Sequence, residues 1–253
     1  MSNNYSMLYF LILKNLNAKY RGSFLGALWN ILSPLGMLFL YCLVFGSTLY
    51  ASNENYWVYM SIGIFPFFFF QSNMICGAMC IINESELLKK KKFPRIFIVL
   101  AEVVATFIVF TISYILMLII FFILEININL TLLLWVPLYM ILSFIFAFGL
   151  ALQLSIITVY IRDVQHIIDT FSRVFFWITP LFFYFEDISN NIFRNIILCN
   201  PYTYFIELFH STLFYNNFPE INYLIISSLL AIFALVLGYI LFKKYEAIVV
   251  EEL

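Results

Sequence analysis

Two stretches concentrate the groups that could do polar chemistry. Residues 83–95 read NESELLKKKKFPR, two acids followed by five bases. Residues 160–173 read YIRDVQHIIDTFSR, with Arg162 beside Asp163, Asp169 four positions before Arg173, and His166 between them. An i, i+4 spacing puts Asp169 and Arg173 on one helix face, where opposite charges pair. Ionisable groups at a membrane edge are costly to desolvate, so pairing is the expected arrangement. The second stretch therefore reads first as a helix hairpin pinned at a membrane face, ahead of any direct handling of a substrate. His166 reads as an interfacial polar group rather than a ligand. In the first stretch Glu84 and Glu86 suit a helix N-terminus and Lys89, Lys90, Lys91 and Lys92 its C-terminus. The plain reading is a basic loop against anionic headgroups. The sharper one is a short helix that protrudes to dock a soluble partner, with Pro94 resetting the chain direction after it.

Several chemistries are absent. No G-x-x-x-x-G-K-[ST] occurs, so no P-loop holds ATP on this chain. No His, Cys, Asp or Glu cluster has metal spacing, and no G-x-S-x-G nucleophile turn is present. The basic tract is too short to suggest nucleic acid. Cys42, Cys76, Cys80 and Cys199 read as small apolar side chains rather than a disulfide framework. An acyl- or glycosyltransferase embedded in the membrane would need acid and base groups gathered at one face. Here the acids are dispersed, and His166 and His210 fall on opposite sides of the topology derived next.

The elements that carry these residues follow from where charge is missing. The chain has 253 residues, 64% hydrophobic and 11% charged, with a mean hydropathy of +0.99. Soluble domains are about 45–50% apolar and about 25% charged, so the solvent of this chain is mostly lipid. A helix needs about 20 apolar residues to cross the membrane core. Five uncharged windows meet that length and place spans over residues 28–50, 57–81, 97–124, 132–160 and 223–242. A sixth, residues 164–185, is apolar but carries Asp169 and Arg173, with Pro180 deep within it. The apolar runs within 186–220 are too short to cross and read as an external region of half-helices that dip into the membrane. The fold class expected is an all-α membrane protein of six spans. Residues 1–27 form an N-terminal interface segment, residues 83–95 a cytoplasmic loop, and residues 243–253 a cytoplasmic tail. No cleavable signal peptide is expected at the N-terminus.

Orientation follows from Lys and Arg. With the N-terminus inside, twelve of the 13 basic residues fall on one side and only Arg194 on the other. That bias places both ends in the cytoplasm after an even number of crossings, and so argues for the sixth span. Near the N-terminus Tyr5, Leu8, Tyr9, Ile12 and Leu16 recur at helical spacing, with Asn15, Lys19 and Arg21 on a polar side. This suits a helix lying along the interface. Pro34 implies a kink in the first span. Trp57, Tyr56 and Tyr59 suit an interfacial aromatic belt, whereas Phe65 to Phe70 lie mid-span and read as packing.

Four segments in order, KYRGSFLGALWNILSPLGMLFLYCLVFG, LLKKKKFPR, YIRDVQHI with ITPLFFY, and NPYTYFIELFHSTLF, closely resemble the type-2 ABC transporter permeases that export O-antigen, capsular polysaccharide and teichoic acid. The resemblance runs over nearly the whole chain. It implies a homodimer in a bacterial cytoplasmic (inner) membrane, with two copies of a separate ATPase that holds ATP and Mg; no cofactor is implied on this chain. It implies an interface helix over about 5–20, with Lys19, Arg21 and Trp29 at a gate. It also implies a coupling helix over about 83–91, with Glu84, Glu86, Lys89 and Lys90 facing the ATPase. Short re-entrant helices over about 188–215 would follow the fifth span. A lipid-linked polysaccharide would pass between the two subunits, along aromatic walls for which Tyr41, Tyr56, Tyr59 and Phe67 are candidates. Arg162, Asp163, Asp169 and Arg173 would pin the cytoplasmic hairpin. Teichoic acid, drugs or small lipids are the alternative cargoes of the same six-span layout.

Overall fold

The computed structural model describes residues 2–18, 29–46, 55–90, 93–161 and 163–246, and helix dominates them, with no strand among the described residues. Among the described residues four helices are long and apolar enough to cross a membrane: α3 (Tyr56–Asn83), α5 (Ile96–Ile123), α7 (Val136–Tyr160, preceded by the turn α6, Leu130–Leu133) and α11 (Ile221–Tyr245). Each falls within three or four residues of the window expected from the charge-free runs. A 28-residue helix is about 42 Å long, more than the ~30 Å core requires. Around these four stand α1 (Ser2–Ala18), α2 (Trp29–Tyr41, continued by a π turn over Cys42–Gly46), α4 (Ser85–Lys90), α8 (Val164–Ile178), α9 (Asn191–Cys199) and α10 (Pro201–Leu213). Lys19 and Arg21, expected near a gate, and Arg162, expected in the hairpin, lie outside the described residues.

Pair contacts fix the directions. Phe70 meets Phe146, and Gly77 faces Ala151, so α3 and α7 run parallel. Gly149 abuts Ala234, and Tyr160 meets Tyr245, so α11 runs with them. Trp57 meets Phe121 while Thr106 bonds Asn73, which makes α5 the antiparallel member. One end of the bundle therefore gathers Glu84, Lys89, Arg95, Asp163, Lys243 and Lys244. The other gathers Glu125, Glu186, Asp187, Arg194 and Glu220. Among the described residues the basic charge is segregated as the sequence expectation requires, with Arg194 alone at the second end.

The α7–α11 crossing is close because Gly149 and Gly238 face each other. A Cβ built on Gly149 would lie 2.4 Å from the backbone of Ala234, and one on Gly238 would lie 2.4 Å from the Gly149 carbonyl. In lipid, where apolar surface gains little by leaving lipid for protein, such small-residue contact is a main source of helix association. Gln153 adds a side-chain bond across the seam to the Ala234 carbonyl at 2.9 Å.

The prolines fall both within helices and at helix boundaries. Pro34 and Pro66 sit inside α2 and α3. Pro201 opens α10, where an N–H would be unpaired anyway, and Asn200 caps that helix by accepting from the Tyr202 N–H. Pro180 follows the end of α8. The expected span over 164–185 is helical only to Ile178; from Thr179 the chain is irregular through Tyr184. A proline has no N–H to extend the helical ladder and crowds the turn before it.

Candidate functional site

Three regions hold the residues expected to function. The first is the corner between α3 and α4. The backbone N–H of Glu84 closes α3 on the Cys80 and Ile81 carbonyls, and its own carbonyl accepts from Leu87 and Leu88 to open α4. Its carboxylate forms an ion pair with Lys14 of α1. The short helix foreseen over 83–91 is present as Ser85–Lys90, but Glu84 faces inward along the bundle. The cause is the bond to Lys14, 70 positions earlier, which fastens the N-terminal helix to the foot of α3. Leu88 is buried beneath α4, while Glu86 and Lys89 are exposed on it. The exposed side chains of α4 among those described are thus Glu86 and Lys89. The backbone of Lys90 ends the helix.

The second region is α8. His166, Thr170, Arg173 and Trp177 are exposed and Asp169 is half-buried. At 3.6 residues per turn these five positions fall on one stripe. The opposite side, through Ile168, Ser172 and Phe176, is buried and packs on α3, with Phe176 5.3 Å from Phe67 between ring centroids. The expected ion pair between Asp169 and Arg173 is not formed; both point along the exposed stripe, and neither makes an ion pair among the described residues. Asp163 is exposed at the start of the helix. Beside this face stands α2, with Trp29, Phe39 and Leu40 exposed. Tyr41 there is half-buried, its ring 5.4 Å from Phe176 and 5.1 Å from Phe182.

The third region is a polar knot at the end opposite the basic charges. Tyr56, Tyr59 and Phe67 are 2%, 0% and 1% exposed, so within the subunit their rings back the wall rather than face open space. The two tyrosine hydroxyls serve the irregular stretch after α8. Tyr56 Oη donates to the Phe182 carbonyl at 2.9 Å. Tyr59 Oη lies 3.1 Å from the Pro180 carbonyl and 3.0 Å from that of Phe183. Unwound backbone is tolerated at membrane depth only where such partners exist. His210 of α10 stacks on Tyr59 with centroids 3.9 Å apart. Its Nδ1 is 3.2 Å from Glu207 Oε1 and its Nε2 is 3.1 Å from the Tyr59 carbonyl. The two ring nitrogens thus each face an oxygen, one on Glu207 and one on the α3 backbone. Gly63 makes the room, since a Cβ there would lie 2.8 Å from His210 Nε2. Asn200 closes the knot by donating to Thr179 Oγ1 at 2.7 Å. Sequence reasoning left Glu207 and His210 without a partner. Their i, i+3 spacing was the available signal, but Tyr59 lies 151 positions away.

A helical bundle with four membrane-length spans among the described residues, and with charge segregated to its two ends, defines the class of multi-pass helical membrane proteins. The family comparison gives the particular member of that class: residues 7–214 match the ABC-2 type transporter family, and the chain belongs to it. It is a permease subunit rather than an enzyme, and membership implies an ABC transporter with an ATPase partner. It is similar to the O-antigen export system permease protein RfbA of Myxococcus xanthus, 26% identical over 211 residues, 83% of this chain and 81% of that one. It is also similar to the permease of the same name from Klebsiella pneumoniae, 27% identical over 233 residues, 92% of this chain and 89% of that one.

Proposed function

We propose that this chain is the membrane subunit of an ABC exporter that moves a lipid-linked surface polysaccharide across the bacterial cytoplasmic membrane, driven by a separate ATPase. The observation that carries the reading is the similarity, over most of both chains, to permeases named for O-antigen export. Two further crossings complete six. One is α2 with its flanking residues over 28–50. The other is α8 together with the irregular stretch that follows it. Helices α9 and α10 then form the two arms of a re-entrant dip. The segregation of Lys and Arg supports placing the Lys89 end, and with it both termini, in the cytoplasm. Two copies pair across the exposed faces of α2 and α8. The stripe of His166, Thr170, Arg173 and Trp177, with Tyr41 beside it, then faces a hydrated passage and meets the sugar. Polar and ionisable side chains in a span are expected to face such a cavity rather than lipid. Glu86 and Lys89 engage the ATPase.

The test pairs export with assembly. A strain lacking the gene should regain surface polysaccharide when this chain and its ATPase are supplied. Glu86→Arg with Lys89→Glu should reduce co-purification of the ATPase and export together. Unchanged export and assembly in that variant would remove the docking role. Transport of small hydrophobic compounds without polymer export would replace the cargo with the alternative one.

A further inference from the structure

We propose that the cavity between α1, α2, α3 and α5 is a binding site for a neutral amphiphile, a rigid fused-ring molecule with hydroxyl or carbonyl groups toward both ends. The proposal goes beyond glycan export and does not depend on the identity of the cargo. The cavity has a volume of about 500 Å³, within the roughly 300–1,000 Å³ of small-molecule sites. It is a slot parallel to the helices. Residues 102, 105, 106, 109, 110 and 113 of α5 form one wall at helical spacing. The ends of that wall, eleven residues apart, are separated by about 16 Å along the axis. On the other side Ser33, Pro34 and Met37 of α2 line the slot, so an occupant would brace α2 against α3 and α5.

Three properties select the ligand. Ser113, at the deep end, is 4% exposed and its hydroxyl has no hydrogen-bond partner. Gln71 lies within two residues of the middle of α3 and also lines the slot; its side-chain amide makes no hydrogen bond among the described residues. At the same depth Asn73 and Thr106 satisfy each other at 3.0 Å, so the open groups are Gln71 and Ser113. That bond also sets the register of the antiparallel pair, and it places Gln71 and Ser113 about 8 Å apart along the axis. A polar group at membrane depth has no bulk water to turn to and calls for a partner. Both open groups are uncharged, and burying an ion would cost far more than an amide and a hydroxyl return. The third property is the aromatic lining of Phe65, Phe68, Phe69 and Phe110, in which Phe69 and Phe110 stack at 5.0 Å between centroids and offer flat surface to a flat ring. A plain hydrocarbon tail would cover the rings and leave both polar groups open. A fused-ring body with an oxygen toward each end meets both demands.

The test uses the full chain in lipid nanodiscs and tritiated estradiol, a neutral fused-ring diol with a hydroxyl at each end. Saturable binding is expected, displaced by unlabelled estradiol. The parent hydrocarbon, which lacks both hydroxyls, should compete at least about fivefold less well at equal concentration in the bilayer. Gln71→Leu and Ser113→Ala each delete a polar group with no protein partner. Each should leave the thermal midpoint unchanged while weakening estradiol about 2–10-fold, and neither should alter competition by the hydrocarbon. Ala105→Leu, which places bulk in the slot from its α5 wall, should weaken both ligands. The two polar deletions lie on different helices, so either one keeps the test decisive if the other fails to fold. A signal equal to that of empty nanodiscs would overturn the proposal. So would binding insensitive to both Gln71→Leu and Ser113→Ala, which would assign the slot to a lipid tail.

Discussion

Replacing His210 by Phe tests the polar knot most directly. Phenylalanine preserves the stack on Tyr59, 3.9 Å between centroids in the native protein, and nearly preserves volume. What it removes is the partner of Glu207, a carboxylate only 6% exposed, and a donor to the Tyr59 carbonyl. Leaving a buried polar group without its hydrogen-bond partner costs about 1–3 kcal/mol. Replacing both members by apolar groups of similar shape is close to neutral. His210→Phe alone should therefore lower stability by about 1–3 kcal/mol, and His210→Phe with Glu207→Met should recover most of that loss. At about 2–4 °C per kcal/mol for a chain of this size, the single variant should melt roughly 2–12 °C lower. The measurement is the thermal midpoint of each purified variant in one detergent, arranged as a double-mutant cycle with Glu207→Met alone. If the double variant is no more stable than His210→Phe, the two side chains do not act as a pair and the reasoning fails.

Two other outcomes follow from the packing. Gly149→Ala places a methyl 2.4 Å from the Ala234 backbone, where carbon atoms prefer ~3.5–4.0 Å, so α7 and α11 must part by about 1 Å. A loss of about 1–3 kcal/mol is expected. Adding Gly238→Ala should cost less than the sum, since one separation relieves both clashes; strict additivity in the melting series would contradict the shared seam. The ion pair of Lys14 and Glu84 is partly exposed, at 42% and 11%, and such a pair contributes only about 0.2–1 kcal/mol. Lys14→Glu should leave the global melt nearly unchanged but speed hydrogen exchange in α1, and Lys14→Glu with Glu84→Lys should restore protection.

Legibility in the sequence divides by range. The four long helices could be read because lipid forbids charge over a window of about 20 residues, a constraint local to each segment. Pro180 marked a break within the expected span over 164–185, although that span was carried on past it, and the short helix after α3 could be read from its acid-then-base order. The inward turn of Glu84 was not, because nothing near position 84 specifies Lys14 as partner. The burial of Tyr56 and Tyr59 was hidden for the same reason. An aromatic belt at the interface and a buried hydroxyl serving a distant carbonyl call for the same residue type. The spacing of Asp169 and Arg173 implied a pair; their shared face was legible, yet α8 leaves that face outward and the pair open.

The irregular stretch after α8 is held by hydroxyls that belong to another helix. Phe182 is served by Tyr56, and Pro180 and Phe183 by Tyr59. The place where the chain stops being helical is thus encoded partly on α3, more than a hundred residues upstream. A descendant that restored a continuous helix over 164–185 would strand two phenols in an apolar interior. One that lost the phenols would expose bare carbonyls to hydrocarbon. The break and its two tyrosines can change only together, so these distant positions constitute one inherited character.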